Sequence, residues 1–325
     1  MNLVLNNPEH QIIDEAQVIQ SDRKNFIEAN TIQVDLDHLK NECVIPVFAK
    51  DNESSISHYE FIKYTEDVIT SVLSNSIQLK EEIRVSHMIK GRVPSAIGKP
   101  AKELFEHEKT LYYDRMAFVI EIPEISQVIN GNRLNLSIGG VRAYNQENLY
   151  GKKSIEKFKV FIGFQNTVCL NLCIATDGLA DSIRISSVGE LKTKILELIN
   201  GYDRKKHLED LEDLARYTIN ENQFAGLVGR AKMYQYLSKE DKKDLFPLSI
   251  TDSQITSIVR DYYTDVSFCS TDDTINLWKL YNIFTESVKS SYIDSHLERN
   301  ASAFEFILYL AKSLKNGEPN WFLNN

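Results

Sequence analysis

The sequence predicts an α+β fold, with a mainly antiparallel sheet in the N-terminal part followed by a helical C-terminal part. Between residues 112 and 185 apolar side chains recur at every second position, the period of a strand with one buried face. Beyond Ser187 the period changes to 3.6 and stays there, with helix-start signals recurring along the way. Asn130-Gly131 between two alternating runs is a hairpin turn, so the strands it joins run antiparallel. Strands first and helices afterwards is the order of elements that an α+β domain shows.

Residues 1–30 are polar and acidic, with a weak helical pattern at Ile12, Ile13, Ala16 and Ile19, and read as an N-terminal arm or short helix. Thr31–Val34 and Val44–Phe48 are short strands, and the link between them has room for a helical turn. From Ile56 to Leu73 the residues Phe61, Thr65, Val68, Ile69 and Val72 fall at helical spacing. Ser57 with Glu60 makes a capping box at the start of that helix. Ile77–Met88 alternates as a strand, and Pro94 and Pro100 then force an irregular segment. Tyr112–Ile122 is a strong strand, with Met116, Phe118, Ile120 and Ile122 on one side. Residues 125–132 connect it to a strand carrying Leu134, Leu136 and Ile138 on one face. Gly139-Gly140 marks a bulge or a close approach of backbone.

The stretch Arg133–Asp177 reads as the hub of the chain. One run places Phe158, Val160, Ile162 and Phe164 on a common face. The next places Val168, Leu170, Leu172 and Ile174 opposite Cys169, Asn171 and Cys173, and the two together predict an antiparallel hairpin. Ser182–Ile185 is the last strand of the sheet. Ser187 with Glu190 caps a helix through Ile199, and weaker helices follow at 205–217 and 221–236. Thr251 with Gln254 opens another through Tyr262. Leu277, Tyr281, Phe284 and Val288 line one later stripe, and Phe304, Ile307, Leu308, Ala311 and Leu314 line the last. Beyond the arm, the parts are thus a sheet-rich 31–188 and a helical 189–325, which can share one core.

Composition sets bounds on function. An apolar fraction of 42% and a charged fraction of 26% over 325 residues are those of an ordinary globular protein. No run approaches the roughly 18 apolar residues needed to cross a bilayer. The N-terminus lacks the basic start and apolar segment of a secretory signal, so the cytoplasm is the expected location. Four cysteines are too few for a disulfide framework. Cys169 and Cys173, four apart on a strand, would lie roughly 13 Å apart and read as small buried hydrophobes.

Charge is unevenly spread. The net charge is −9, yet residues 84–160 hold 13 Lys/Arg against 8 Asp/Glu, a balance of +5 that leaves −14 for the rest. Arg84 to Lys102 contains five basic residues and no acid. A local basic surface on an acidic protein points to an anionic partner, although a solvated loop is the commoner reason for such a run.

Chemistry leaves few marks. A phosphate-binding glycine loop, a Cys-x-x-Cys pair, a His-Glu-x-x-His helix and a Gly-x-Ser-x-Gly elbow are all missing from the sequence. The acid pairs Asp35/Asp37, Asp177/Asp181 and Asp272/Asp273 have no histidine beside them, so neither a metal nor a cofactor is expected. Asp272-Asp273 reads as the cap of the helix carrying Trp278, and Asp177-Gly178 as a turn. His87 stands between basic residues with no carboxylate partner in sight, which favours a structural role over acid/base work. Arg142, Tyr144, Asn145 and Asn148 form a denser polar set, suited equally to reading a nucleotide and to bracing the sheet from within. Trp278, Tyr281, Asn282, Thr285 and Glu286 share a slowly drifting helix face. The expectation is a core anchor whose polar members bond to the sheet, with Asn171 and Asn282 meeting there.

Val141-Arg-Ala-Tyr-Asn145 followed by Phe161–Cys173 resembles the heart of a bacterial family, domain of unknown function family 3871. Ile45–Asp51 and Arg84–Arg92 extend the likeness over about residues 40 to 323. More distantly, Val168-Cys169-Leu170-Asn171 and the later Trp278, Tyr281, Asn282, Thr285 and Glu286 are similar to the phage/plasmid-related domain of unknown function family 932. The family has an Arg just before the Val-Cys pair where this chain has Thr167, so any phosphate contact made by that Arg is lost here. The resemblance implies a mobile-element setting and supplies no catalytic residues.

The function expected is a mobile-element-associated protein that binds single-stranded DNA or RNA, or a nucleoprotein partner. Its contact residues would be Arg84, His87, Lys90, Arg92, Arg142, Tyr144, Asn145, Lys152 and Lys153, gathered into one exposed patch beside Tyr144. One alternative is an enzyme acting on a small phosphorylated or nucleotide substrate, with His87, Lys90, Arg92 and Arg142 around a pocket. Another is a protein-interaction module that docks through the acidic helical half. Oligomeric state is not legible in the sequence.

Overall fold

Long alternating runs make long strands, and here they make one twisted antiparallel sheet. The structure is a computed structural model that describes residues 25–48, 55–73, 78–147, 155–265 and 273–323. Its sheet strands are β1 (Ile32–Val34), β2 (Ile45–Pro46), β3 (Lys80–Arg92), β4 (Lys109–Ile129), β5 (Asn132–Ala143), β6 (Glu156–Asn166), β7 (Leu172–Cys173) and β8 (Leu179–Ile185). The order is β1-β3-β4-β5-β6-β7, with β2 also on β3 and β8 also on β6, and every pair is antiparallel. Helix α1 (Leu36–Asn41) and helix α2 (His58–Leu73) lie within this half. The helical half holds α3 (Val188–Gly201), α4 (Arg204–Leu214), α5 (Glu221–Tyr234), α6 (Asp252–Thr264), α7 (Leu277–Val288) and α8 (Ile293–Asn316).

Helix starts follow the capping chemistry read from sequence. Ser57 Oγ accepts from Glu60 N at 3.2 Å while the Glu60 carboxylate accepts from Ser57 N at 2.7 Å. Thr251 with Gln254 makes the same reciprocal box at α6, while at α3 Ser187 Oγ accepts from Glu190 N and the Glu190 carboxylate accepts from Ser186 N. The cap of α7 is Asn276, whose side chain accepts from Lys279 N, and not the Asp272-Asp273 pair. Asp273 instead takes a left-handed φ of 54° and accepts from Glu221 N at 3.0 Å; Asp272 lies outside the described residues. Between these helices sits a small sheet that the periodicity did not announce, β9 (Thr218–Asn220) paired with β10 (Thr274–Asn276).

Two more expectations need correcting. The connection expected at 125–132 is mostly strand, because β4 continues to Ile129 through a register shift between Ile122 and Ser126. Only Asn130 (φ 49°) and Gly131 (φ 79°) form the turn, and both sit where the left-handed geometry of a tight hairpin requires them. The strand expected at 168–174 is a tight turn followed by the two-residue β7. Leu170 has φ 58°, Val168 is 77% exposed, and Phe164 pairs with Cys173. The turn takes Val168 and Leu170 out of the alternation, while Leu172 and Ile174 face one core and Cys173 the other, as expected.

The sheet is covered on both faces. On one, Phe118, Ile138, Ile162 and their neighbours meet α2, α3 and the helical half in a single large core. On the other, Ala117, Val119, Val141 and Phe161 meet Phe26, Ile27 and the start of α8. Residues 1–24 of the expected arm lie outside the described residues, while Phe26 and Ile27 are fully buried. At 24 residues, α8 is about 36 Å long, and it runs from the smaller core (Ile293, Leu297) into the larger one (Phe304, Phe306, Ile307). Gly140 is the close approach expected on β5: a Cβ there would lie 2.6 Å from the Phe61 ring of α2.

Candidate functional site

Register decides where the expected contact residues go. Arg142 pairs with Met116 on β4, so its side chain enters the larger core, where Met116 is fully buried. A guanidinium there must be paired and hydrogen-bonded. Glu147 Oε1 lies 3.4 Å from Arg142 Nε and Glu156 Oε1 3.4 Å from Nη2, while Nη1 donates to Ile56 O. The guanidinium also stacks over the rings of Tyr144 (4.3 Å) and Phe158 (4.6 Å). Burial works against its charge, but Tyr144, Glu156 and Glu147 outweigh burial and raise its pKa.

Around it lie other buried polar groups. The Tyr144 and Tyr112 hydroxyls are 2.9 Å apart, and burial pushes Tyr112 up to about 12. His58 stacks on Tyr112 at 4.8 Å and reaches Tyr113 O at 2.9 Å. Burial first, and Arg142 second, push His58 down to about 3. Arg142 and Tyr144 therefore brace the sheet from within, one of the two roles their pattern allowed.

The other arginines are also taken. Arg84 is buried and donates to Thr31 Oγ1 (2.9 and 3.1 Å) and Thr31 O (2.9 Å). Arg92 is buried and donates to Lys99 O at 2.8 Å, to Ala96 O at 3.4 Å and to Val47 O. Asn145 is exposed and donates to Asp294 Oδ2 at 3.3 Å. His87 is exposed at φ 58°, where it interrupts the β3–β4 ladder between Ser86 and Met88. Lys90 is exposed as well. Lys152, Lys153 and Asn148 lie outside the described residues. The described members of the set do not converge on one patch beside Tyr144.

A different surface carries exposed cations with aromatic rings. The connection between β3 and β4, residues 93–108, is bounded by Pro94 and built on two 3-10 turns. Arg92 holds it from below through the Ala96 and Lys99 carbonyls. Glu108 is buried, accepts from Phe105 N at 2.9 Å and pairs with Lys99. This fixes Phe105, which is 62% exposed and stacks on His107 with centroids 5.7 Å apart and planes at 8°. Lys99 Nζ sits 5.0 Å from the Phe105 ring. Lys90, Lys102 and Lys109 are exposed, as are Glu103 and Glu106, and Lys109 is bound to Glu106. Sequence reading missed Phe105 and His107; the available signal was two aromatic rings just beyond the acid-free basic run, between Glu103 and Glu108.

The polar junction expected at Asn171 and Asn282 is formed. Asn171 Nδ2 donates to Asn282 O and Thr285 Oγ1, both at 3.0 Å, and Asn282 Nδ2 donates to Trp278 O at 2.8 Å. Lys289, fully buried, pairs with Glu286 at 3.0 Å and donates to Cys169 O. Burial pushes the thiols of Cys43 and Cys173 up to about 12, which suits inert core residues. Among the described residues, no group of three or more His, Cys, Asp or Glu is placed to hold a metal, and no helix is long and apolar enough to cross a membrane.

Comparison with known proteins gives a family and nothing finer. No curated protein and no solved structure matches the chain. The family model described as "Domain of unknown function, B. Theta Gene description (DUF3871)" matches residues 7–323. That span takes in both the sheet and the helical half, and the chain belongs to the DUF3871 family.

Proposed function

We propose that the protein works by binding, and that it engages single-stranded nucleic acid, free or within a nucleoprotein, through the connection at 93–108. The observation that carries this reading is the exposed Phe105–His107 stack with the Lys99 ammonium beside it. Bases stack on exposed aromatic rings whatever their identity, and neighbouring lysines neutralise the phosphates between them. Lys90 and Lys102 supply that charge on a chain whose net charge is −9, while Lys99 and Lys109 are paired with Glu108 and Glu106. The mobile-element setting rests on the resemblance to family 932 alone.

Fluorescence anisotropy with labelled single-stranded DNA and RNA at low salt tests the proposal. Binding should weaken steeply as salt rises, because each neutralised phosphate releases counterions. Phe105→Ala should lower affinity by about 1–3 kcal/mol, the value of one stacked base. An affinity unmoved by Phe105→Ala, or no binding at all, sinks the reading.

A protein-interaction role is the second reading. Ile97 (47% exposed) and Phe105 place two apolar side chains on the same connection, and an exposed aromatic serves a protein partner as readily. The enzyme reading has less support, since the Arg92 and Arg142 side chains are buried and held by backbone carbonyls, with carboxylates beside Arg142.

A further inference from the structure

Where β6 meets β8 the ladder is irregular: Phe158 pairs with Ile183, and Val160 with Ala180. Asp181 and Ser182 thus stand opposite the single residue Lys159, which is a bulge, and bulges often open a sheet edge to a ligand. A cleft of about 120 Å³ lies there, walled by Val141, Ala143 and Phe158 and edged by Gln146, Lys157, Lys159, Asp181 and Ser182. It is too small for a nucleotide, since sites for drug-sized molecules run to roughly 300 Å³ or more.

Its charges are arranged unusually. Lys157 and Lys159 share one face of β6, two residues apart. Lys159 is buried and committed to Glu298 and Asp294 O. Lys157 is half-buried and donates to Gln146 O, which leaves further N–H groups of its ammonium to be used. Among the described residues no carboxylate lies within 4.0 Å of Lys157 Nζ, and no cation lies within that distance of the Asp181 carboxylate. One cation and one anion therefore line the same cavity without pairing.

We propose that this cleft binds a small zwitterion, an amino acid or short amino-carboxylate. Its carboxylate rests on Lys157 and its ammonium faces Asp181. A plain anion would meet the Asp181 charge, and a plain cation the two lysines; a molecule carrying both charges satisfies each. The apolar wall and the cavity volume restrict the ligand to a short carbon chain.

Calorimetric titration of the full chain with glycine, β-alanine and 4-aminobutyrate scans the separation between the two charges. One of the three should bind saturably, with acetate and methylammonium at least tenfold weaker. Lys157→Met and Asp181→Asn should each weaken that ligand at least tenfold, and Phe105→Ala should leave it unchanged. If Lys157→Met does not fold, Asp181→Asn decides alone, since Asp181 is exposed on its strand. Absence of saturable binding by all three probes overturns the proposal. So does acetate binding as tightly as the best of them and tightening in Asp181→Asn, which marks an anion site.

Discussion

Arg142 shows how a single residue can look like a ligand contact and serve the core. Its two carboxylate partners come from either side of the 148–154 connection, and Ile56 O comes from the start of α2. Arg142→Met should cost about 3–5 kcal/mol, because Glu147 and Glu156 would stay buried without a counter-charge. Urea unfolding measures this, and a loss under 1 kcal/mol would mean that water already reaches the pair. Gly140→Ala should cost about 1–3 kcal/mol, since the Phe61 ring stands where the methyl would go. Phe105→Ala, on an exposed side chain, should leave the urea midpoint nearly unchanged, within about 0.5 kcal/mol. An unchanged midpoint makes it a clean probe of binding.

At the scale of elements, the turn at 166–171 ties the sheet to α7. Leu170 in a left-handed conformation reverses the chain, and this aims the Asn171 amide at the last turns of α7. Asn171→Ala should cost about 1–3 kcal/mol by leaving the buried Thr285 hydroxyl and Asn282 carbonyl short of a donor. Thermal unfolding of the variant checks this, and a wild-type midpoint would show that the junction is not a tie. The caps of α2, α3 and α6 were legible because a cap needs only residues three apart in sequence. The 168–174 turn was not, because its apolar residues alternate as a strand would. What breaks the alternation is tertiary: Asn171 bonds α7, and Lys289 bonds the Cys169 carbonyl.

Across the whole molecule, three of the four histidines buried among the described residues contribute to the response to acid. Burial holds His58 and His207 at about 3 and His296 at about 4, each below the 6.5 of an exposed imidazole. Between about pH 4 and 6.5 these three sites bind more protons in the unfolded chain than in the folded one and lose stability as pH falls, while Glu81, raised to about 7 first by burial, acts in the opposite sense. From pH 6.5 to 5 each histidine should cost about 2 kcal/mol. Urea midpoints over this range should drop, and His207→Phe should flatten the slope. The two halves share the larger core, so the fragment 25–188 should not fold on its own. A dispersed amide NMR spectrum from that fragment would contradict this.

Local chemistry determined what needs only neighbours in the chain: alternation for strands, 3.6-residue stripes for helices, an Asn-Gly turn, side-chain caps. The α+β class and the order of its elements follow from these alone. The site did not, because a basic residue in sequence has a sign but no address. Register sent Arg142 into the core, and the Thr31 and Val47 carbonyls drew Arg84 and Arg92 inward. The same packing left Phe105 and His107 outside, stacked on each other. Whether a charge meets solvent depends on strand pairing across dozens of residues, and only the tertiary structure sets that pairing.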